Sequence, residues 1–168
     1  GDAPERRDLR ALYDLCLGRI RRGGAGVQRW SSMETCYGSR PSFMRKVDQT
    51  TFAPEGNCQS AVLAMLLDLP LESIPNFYDV GGKNPFDWWK TYFQFIEEQG
   101  FWFFAFESEH AAARAKHMKG YYEVSGPSSR GVEHAVVYKD GDLYHDPHPS
   151  REGLLSFREV RVFYPLEF

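Results

Sequence analysis

The feature that most constrains the fold of this chain is a short apolar segment that follows a cysteine. Cys58 comes directly after the turn-forming residues 54–57, and the nine residues Gln59–Leu67 that follow are rich in Ala, Leu and Met. A helix that is apolar nearly all round has to be buried, so this segment predicts a central helix, which Asp68-Leu69-Pro70 ends. The other elements must therefore pack around a helix that begins beside Cys58.

The patterns on either side of this helix differ. Apolar residues at three- and four-residue steps predict an amphipathic helix over about residues 5–21. We interpret residues 1–41 as an N-terminal helical extension and residues 42–168 as the main domain. Phe43–Thr51 suits a short strand or an extended segment, and an aromatic stripe from Phe86 to Ile96 predicts a second helix of the main domain, which Gly100 ends.

Strand patterns dominate after this point. The predicted strands are Phe101–Phe106 (a buried strand), Tyr121–Val124, Val132–Tyr138, Leu143–Asp146 and Ser156–Tyr164, with one helix at Glu109–Met118. Helices that come first and strands that come later predict an α+β fold with an antiparallel sheet.

Composition and charge exclude several classes of protein. The chain is 42% hydrophobic and carries a net charge of −3, which is typical of a globular protein and gives no reason to expect nucleic-acid binding. No apolar run is long enough to cross a bilayer, and the first residues lack the apolar core of a signal peptide. Three cysteines in dissimilar contexts do not form a disulfide framework. We therefore expect no membrane partner, and a cytoplasmic protein or one delivered as an effector.

Three side chains form a complete set for nucleophilic catalysis. Cys58 lies at the start of the buried helix, where backbone amides and the helix dipole favour the reactive thiolate. His134 lies at the head of one predicted strand, and Asp146 ends the next. A nucleophile needs a base, and the base needs an acceptor that orients it, so these residues predict a Cys-His-Asp triad.

The turn between the two strands decides whether His134 and Asp146 meet. A two-residue loop of Asp140-Gly141 would place the two side chains on opposite faces. A three-residue loop, Lys139 to Gly141, would place Tyr138 opposite Asp142, and His134 directly opposite Asp146. The sequence permits both turns. We predict the three-residue loop because it supports catalysis.

These residues, in this order, resemble the papain-like cysteine peptidase superfamily. The likeness lies in Gln49, in Gly56-Asn57-Cys58 before an apolar helix, in Glu133-His134-Ala135-Val136-Val137, and in Asp140-Gly141 followed by Asp146-Pro147. It covers about residues 42–150 and is greatest to bacterial and phage members and to papain-like toxin deamidases. The resemblance implies a papain-like fold in which the nucleophile helix packs on the antiparallel sheet.

The resemblance also implies roles for four residues. Cys58 is the nucleophile, His134 the base and Asp146 the residue that orients it, while Gln49 helps to form the oxyanion hole. Gln49 precedes the nucleophile by nine residues, which is longer than the usual spacing, and Asn57 or Gln59 could substitute. The expected function is cysteine-dependent hydrolysis of an amide in a protein or peptide, as a peptidase, isopeptidase or glutamine deamidase, without a cofactor.

Two residues outside this set are candidates for substrate binding. Arg130 lies in the Gly- and Ser-rich run that precedes His134, and could contact an acidic group. Trp88 and Trp89 are consecutive on a predicted helix, so only one can face the core fully, which leaves Trp88 as a candidate cleft aromatic.

Two other functions remain open from the sequence. A papain-like scaffold with an inactive site could serve as a binding module for a partner protein. Alternatively, His145 and His148, with Cys58 or Asp146, could bind zinc, since zinc takes imidazole and thiolate ligands. Strand alternation predicts that His145 faces away from Asp146. His148 could approach the mouth of the active site.

Overall fold

The computed structural model describes residues 43–53, 55–81, 85–107 and 109–166. The predicted N-terminal extension at residues 1–41, with its helix over about residues 5–21, lies outside the described residues, as do Cys16 and Cys36. The described elements are, in chain order, helix α1 (Cys58–Leu66), a 3-10 helix (Leu71–Ser73), helices α2 (Phe77–Gly81) and α3 (Pro85–Glu98), strand β1 (Phe101–Glu107), helix α4 (Glu109–Ala115), and strands β2 (Tyr121–Pro127), β3 (Glu133–Lys139), β4 (Asp142–His145) and β5 (Glu159–Pro165).

The strands form one antiparallel sheet. Its five strands lie in the order β1-β5-β2-β3-β4, and every neighbouring pair is antiparallel. The predicted α+β class with an antiparallel sheet is therefore confirmed. None of the helices in the described ranges is both long enough and apolar enough to span a membrane.

Helix α1 is buried along its length, as its composition predicts. Every residue from Gln59 to Leu66 is buried, and the helix packs with Tyr92 and Ile96 of α3 against one face of the sheet, at Val137 among others. The opposite face is covered by a smaller apolar cluster, built from α4 and the inner strands: Ala111, Ala115, Tyr122, Val124, Val136 and Val160. The core therefore places the first residue of α1 at the sheet surface that carries β3.

The expectation of a buried strand at Phe101–Phe106 is wrong, and of the two alternatives for residues 43–51 the short strand does not form. Strand β1 exists but is an edge strand, so only Phe103 is buried, where it meets rings of α3, while Phe104 is 53% exposed. Residues 43–51 form no strand. They are held instead by separate contacts, in which Tyr144 donates a hydrogen bond to the carbonyl of Met44, and the Gln49 N–H donates to the Pro147 carbonyl at 3.0 Å. This segment consequently runs beside the chain that follows β4.

Candidate active site

The start of helix α1 leaves backbone N–H groups free beside Cys58. Asn57 precedes the helix, but its side chain does not cap it. The Asn57 carbonyl accepts from the Ala61 N–H at 3.0 Å, while its Oδ1 accepts from the N–H groups of Thr50 and Thr51, each at 2.9 Å. The first turn contains no acidic residue. The positive end of the helix dipole is therefore available to a thiolate at Cys58.

The side chains of His134 and Asp146 contact each other. His134 Nε2 lies 2.7 Å from Asp146 Oδ1, and the exposed fractions of the two side chains are 3% and 0%. Cys58 lies close enough to the imidazole for its side chain to contribute to the raised pKa of His134. Because Asp146 occupies Nε2, Nδ1 is the ring nitrogen that remains for the thiol. Cys58, His134 and Asp146 thus lie together at one site.

The hairpin that makes this contact differs from the predicted one. Lys139 pairs with Asp142, so the loop has two residues, Asp140 and Gly141, with φ angles of 54° and 99°. The predicted three-residue loop is therefore wrong. A two-residue loop alone would put His134 and Asp146 on opposite faces, but a register shift at Tyr144 pairs Val137 with His145. This β-bulge adds one residue to β4 and returns Asp146 to the face of His134.

Asp146 is held by three hydrogen-bond donors. Besides His134, Oδ1 accepts from the N–H of His148 and Oδ2 from the N–H of Gly153, both at 2.8 Å. Burial raises the pKa of the carboxyl, but these bonds outweigh it and lower the pKa of Asp146 to about 2. The carboxylate is thus ionised at neutral pH and fixed in one orientation.

The same contacts act on His134 in the opposite direction. Burial lowers the pKa of the imidazole, but the hydrogen bonds to Asp146 and Cys58 and the charge of a thiolate raise it, to about 9 in total. An imidazole with this pKa carries its second proton at neutral pH. The arrangement therefore stabilises an imidazolium that lies beside the Asp146 carboxylate and the Cys58 side chain.

A cavity of about 540 Å³ opens beside Cys58 and His134. This volume lies in the range of about 300–1,000 Å³ that is usual for ligand pockets. Its lining comprises Cys58 and His134, three aromatic residues, five charged residues and three others, namely Glu55, Cys58, Gln59, Tyr78, Trp88, Trp89, Ser125, Glu133, His134, Ala135, Arg158, Glu159 and Arg161. A substrate group in this cavity would lie within reach of the thiol.

Gln49 lies near the site but does not line the cavity. Its side-chain N–H donates to the Thr51 carbonyl at 2.8 Å, and the Asn57 N–H donates to the same oxygen at 3.3 Å. Gln49 and Asn57, the residue that precedes α1, thus share the Thr51 carbonyl as an acceptor. The role of Gln49 in an oxyanion hole stays a prediction. Of the two alternatives, Gln59 lines the cavity, whereas Asn57 holds the loop before Cys58.

The two predicted substrate-binding residues are placed differently. Trp88 lines the cavity, where its ring stacks on Tyr92 with centroids 5.1 Å apart. Arg130 does not line it, because its guanidinium turns towards the loop after β4 and donates to Ser150 Oγ at 3.0 Å. A contact between Arg130 and a substrate group therefore stays a prediction without geometric support from the cavity.

The two histidines of the zinc alternative have separate partners. His145 is buried against Asp48, with Nε2 2.9 Å from Oδ1, whereas the ring of His148 lies 6.2 Å from that of His134. His145 thus faces away from Asp146, as alternation predicts, and His148 lies beside the site. Within the described ranges, no three or more His, Cys, Asp or Glu side chains come together as a metal site would require.

The sequence interpretation missed a buried charged group behind the cavity. Arg161 Nη1 lies 2.9 Å from Glu123 Oε1, and Gln59, the neighbour of Cys58, donates to Glu123 Oε2 at 2.9 Å. The exposed fractions of the Arg161 and Glu123 side chains are 6% and 0%. A signal was present, since Glu123 lies between Tyr122 and Val124, and Arg161 between Val160 and Val162. Charges in such places usually have a buried partner.

Comparison with known proteins identifies no family for this chain. No protein-family model, no curated protein and no solved structure matches it. The geometry of the site is therefore the basis for assigning a function.

Proposed function

We propose that this protein is a cysteine-dependent amide hydrolase of papain-like type, with Cys58 as nucleophile, His134 as general acid and base, and Asp146 as the residue that orients His134. One observation carries the proposal. The His134 imidazole lies between the Cys58 thiol and the Asp146 carboxylate, at the start of a buried helix and at the wall of a cavity. Helix amides and an imidazolium both stabilise the thiolate, which is the reactive form of cysteine.

The chemistry follows from these positions. Cys58 Sγ attacks the carbonyl carbon of an amide, and the oxyanion that forms accepts from backbone N–H groups at the start of α1, with Gln49 as a candidate second donor. His134 gives its proton to the leaving nitrogen as the C–N bond breaks. The resulting thioester is hydrolysed by water, which His134 deprotonates, and Cys58 is restored. Peptide cleavage, isopeptide cleavage and glutamine deamidation all use these steps.

The first test is the alkylation of the full chain with iodoacetamide at pH 6.5, with the labelled residues located by peptide mapping. A free cysteine is about 1% thiolate at this pH, so a thiolate in an ion pair should react at least about tenfold faster, even with its lower intrinsic nucleophilicity. We expect Cys58 to be labelled ahead of Cys16 and Cys36. His134→Ala should abolish this preference, whereas His110→Ala, at an exposed position, should preserve it.

The second test identifies the reaction. New amino termini in a denatured protein substrate would indicate a peptidase, cleavage of a lysine side-chain amide an isopeptidase, and release of ammonia from glutamine peptides a deamidase. Each product should be absent with Cys58→Ala. Slow and equal labelling of all three cysteines, with none of these products, would contradict the proposal and favour a binding module.

A further inference from the structure

The cavity beside Cys58 has aromatic walls that the proposed chemistry does not use. Trp88 and Trp89 meet edge to face, with centroids 4.7 Å apart, and Tyr78 lies 6.4 Å from Trp88. Tyr78 is close enough to the reactive residue for the charge of a Cys58 thiolate to contribute to the raised pKa of its phenol, after burial as the larger cause. An occupant of the cavity would therefore contact ring surfaces beside the thiol.

Four of the five charged residues of the cavity lining form ion pairs, and Glu55 is the fifth. At the mouth, Arg158 Nη1 lies 2.8 Å from Glu133 Oε1. At the floor, Arg161 forms ion pairs with Glu159 and with Glu123, which lies behind the lining. Because the charges at the floor are paired with each other, the aromatic rings form the larger part of the surface that an occupant could contact.

The floor also disfavours a charged occupant. The Arg161 guanidinium lies 4.8 Å from the centroid of the Trp89 ring. This cation therefore already covers one face of the Trp89 ring. Arg161 and Glu159 are already paired with each other, so an ion of either sign would lose its hydration at the floor without finding a free partner there. In addition, the indole Nε1 of Trp88 is buried and has no hydrogen-bond partner.

We propose that this cavity selects a flat, uncharged aromatic side chain of the substrate, an inference that rests on the proposed function and specifies its substrate class. Ring-to-ring contact is worth about 0.5–1.5 kcal/mol beyond the burial of area, which corresponds to about a two- to tenfold preference over an apolar group of similar size. Discrimination against a charged side chain is larger, because the ion must lose its hydration without gaining a partner.

The experiment measures how well amino-acid amides protect Cys58 from iodoacetamide. The probes are the N-acetyl amides of phenylalanine, cyclohexylalanine, lysine and glutamate. We expect phenylalanine to protect at concentrations about tenfold or more below those needed for lysine or glutamate, and about two- to tenfold below cyclohexylalanine. The same titrations, read by tryptophan fluorescence, report binding whether or not Cys58 is reactive.

Two variants locate the effect. Tyr78→Ala should weaken protection by the phenylalanine amide by about threefold or more, relative to its own rate without competitor. Phe104→Ala is the matched control, since this ring is 53% exposed, stacks on Tyr164 and does not line the cavity. Equal protection by all four amides, or stronger protection by lysine or glutamate, would overturn the inference. Unselective alkylation of the free protein, in contrast, would overturn the proposed function, while fluorescence would still show whether the aromatic preference exists.

Discussion

The contact between His134 and Asp146 predicts the result of one conservative substitution, Asp146→Asn. The change removes the charge and keeps the shape of the side chain. The carboxylate accepts from His134 and from the backbone N–H groups of His148 and Gly153 through two oxygens. Asparagine offers one oxygen and one NH2 group, so one of these donors must face another donor. The variant therefore loses an ion pair and also leaves a buried N–H unsatisfied.

The magnitude follows from the two pKa values. Asp146 titrates at about 2 instead of 3.8, which corresponds to about 2 kcal/mol of stabilisation of the carboxylate by the fold. His134 titrates at about 9 instead of 6.5, or about 3 kcal/mol, a figure that also includes Cys58. Both values report largely the same pair, so they are not added. With about 1–3 kcal/mol for the unsatisfied N–H, we expect a loss of about 3–5 kcal/mol.

The pH dependence of this loss has a defined sign. The contribution of His134 to the free energy of unfolding is fully present below its unfolded-state pKa of 6.5, and it is lost as pH rises through about 9. The contribution of Asp146 is complete above 3.8 and disappears as pH falls through about 2. The difference between wild type and variant should therefore be largest between these windows, near pH 4–6.5, and should shrink by pH 10.

The assay is urea unfolding, followed by circular dichroism at pH 6 and at pH 10. Asp142→Asn serves as the control, since Asp142 is exposed at the start of β4 and its substitution should change the free energy of unfolding by no more than about 0.5 kcal/mol. If Asp146→Asn matches the wild type at pH 6, or if the difference is the same at both pH values, the buried ion pair is not present as described.

Three further predictions concern the base, the sheet and the buried charges. The alkaline limb of kcat/KM should fall with an apparent pKa near 9, because above it His134 has no proton for the leaving group. Gly126→Ala should lower the free energy of unfolding in urea by about 2 kcal/mol or more, because a Cβ there would lie 2.1 Å from the Ser156 carbonyl oxygen. Glu123→Gln should lower it by about 3 kcal/mol or more, because Arg161 would keep a buried charge without its fully buried partner.

Each of these has a result that would contradict it. A flat profile between pH 8 and pH 10 would be inconsistent with an essential imidazolium of pKa about 9. If Gly126→Ala causes no loss of stability, the Ser156 carbonyl does not lie as close to Gly126 of β2 as described. For Glu123, the control is Glu97→Gln on the exposed face of α3, and equal effects of the two substitutions would argue against a buried ion pair.

The elements that were predictable from the sequence are those with a strong local pattern. An apolar run bounded by a turn and Asp68-Leu69-Pro70 predicts a buried helix, and α1 spans Cys58–Leu66. The stripe from Phe86 to Ile96, followed by a glycine, likewise predicts α3, and Gly100 has a φ of 75° that favours glycine. In both cases the periodicity and the end signal predict the same helix, and tertiary packing stabilises that helix as well.

Features that depend on contacts with residues remote in sequence could not be predicted from the sequence. The apolar run of β1 predicts a buried strand, but its position at the sheet edge depends on β5 pairing between β1 and β2. The loop after β3 was predicted from the need to align His134 with Asp146, yet the alignment comes from the bulge at Tyr144. No local pattern identifies that bulge, since it accompanies a contact between Tyr144 and Met44, which is remote in sequence.

The site combines two parts of the chain that are fixed independently. Cys58 takes its position from a helix buried in the core, whereas Asp146 takes its position from backbone N–H groups of its own loop, at His148 and Gly153. His134, on β3, is the one residue of the three that contacts both of the others. A change at Asp146 should therefore reach the thiol through the imidazole. For this reason the free energy of unfolding and the alkylation rate of Cys58 should respond together to substitutions of Asp146, and the second response should vanish when His134 is already replaced.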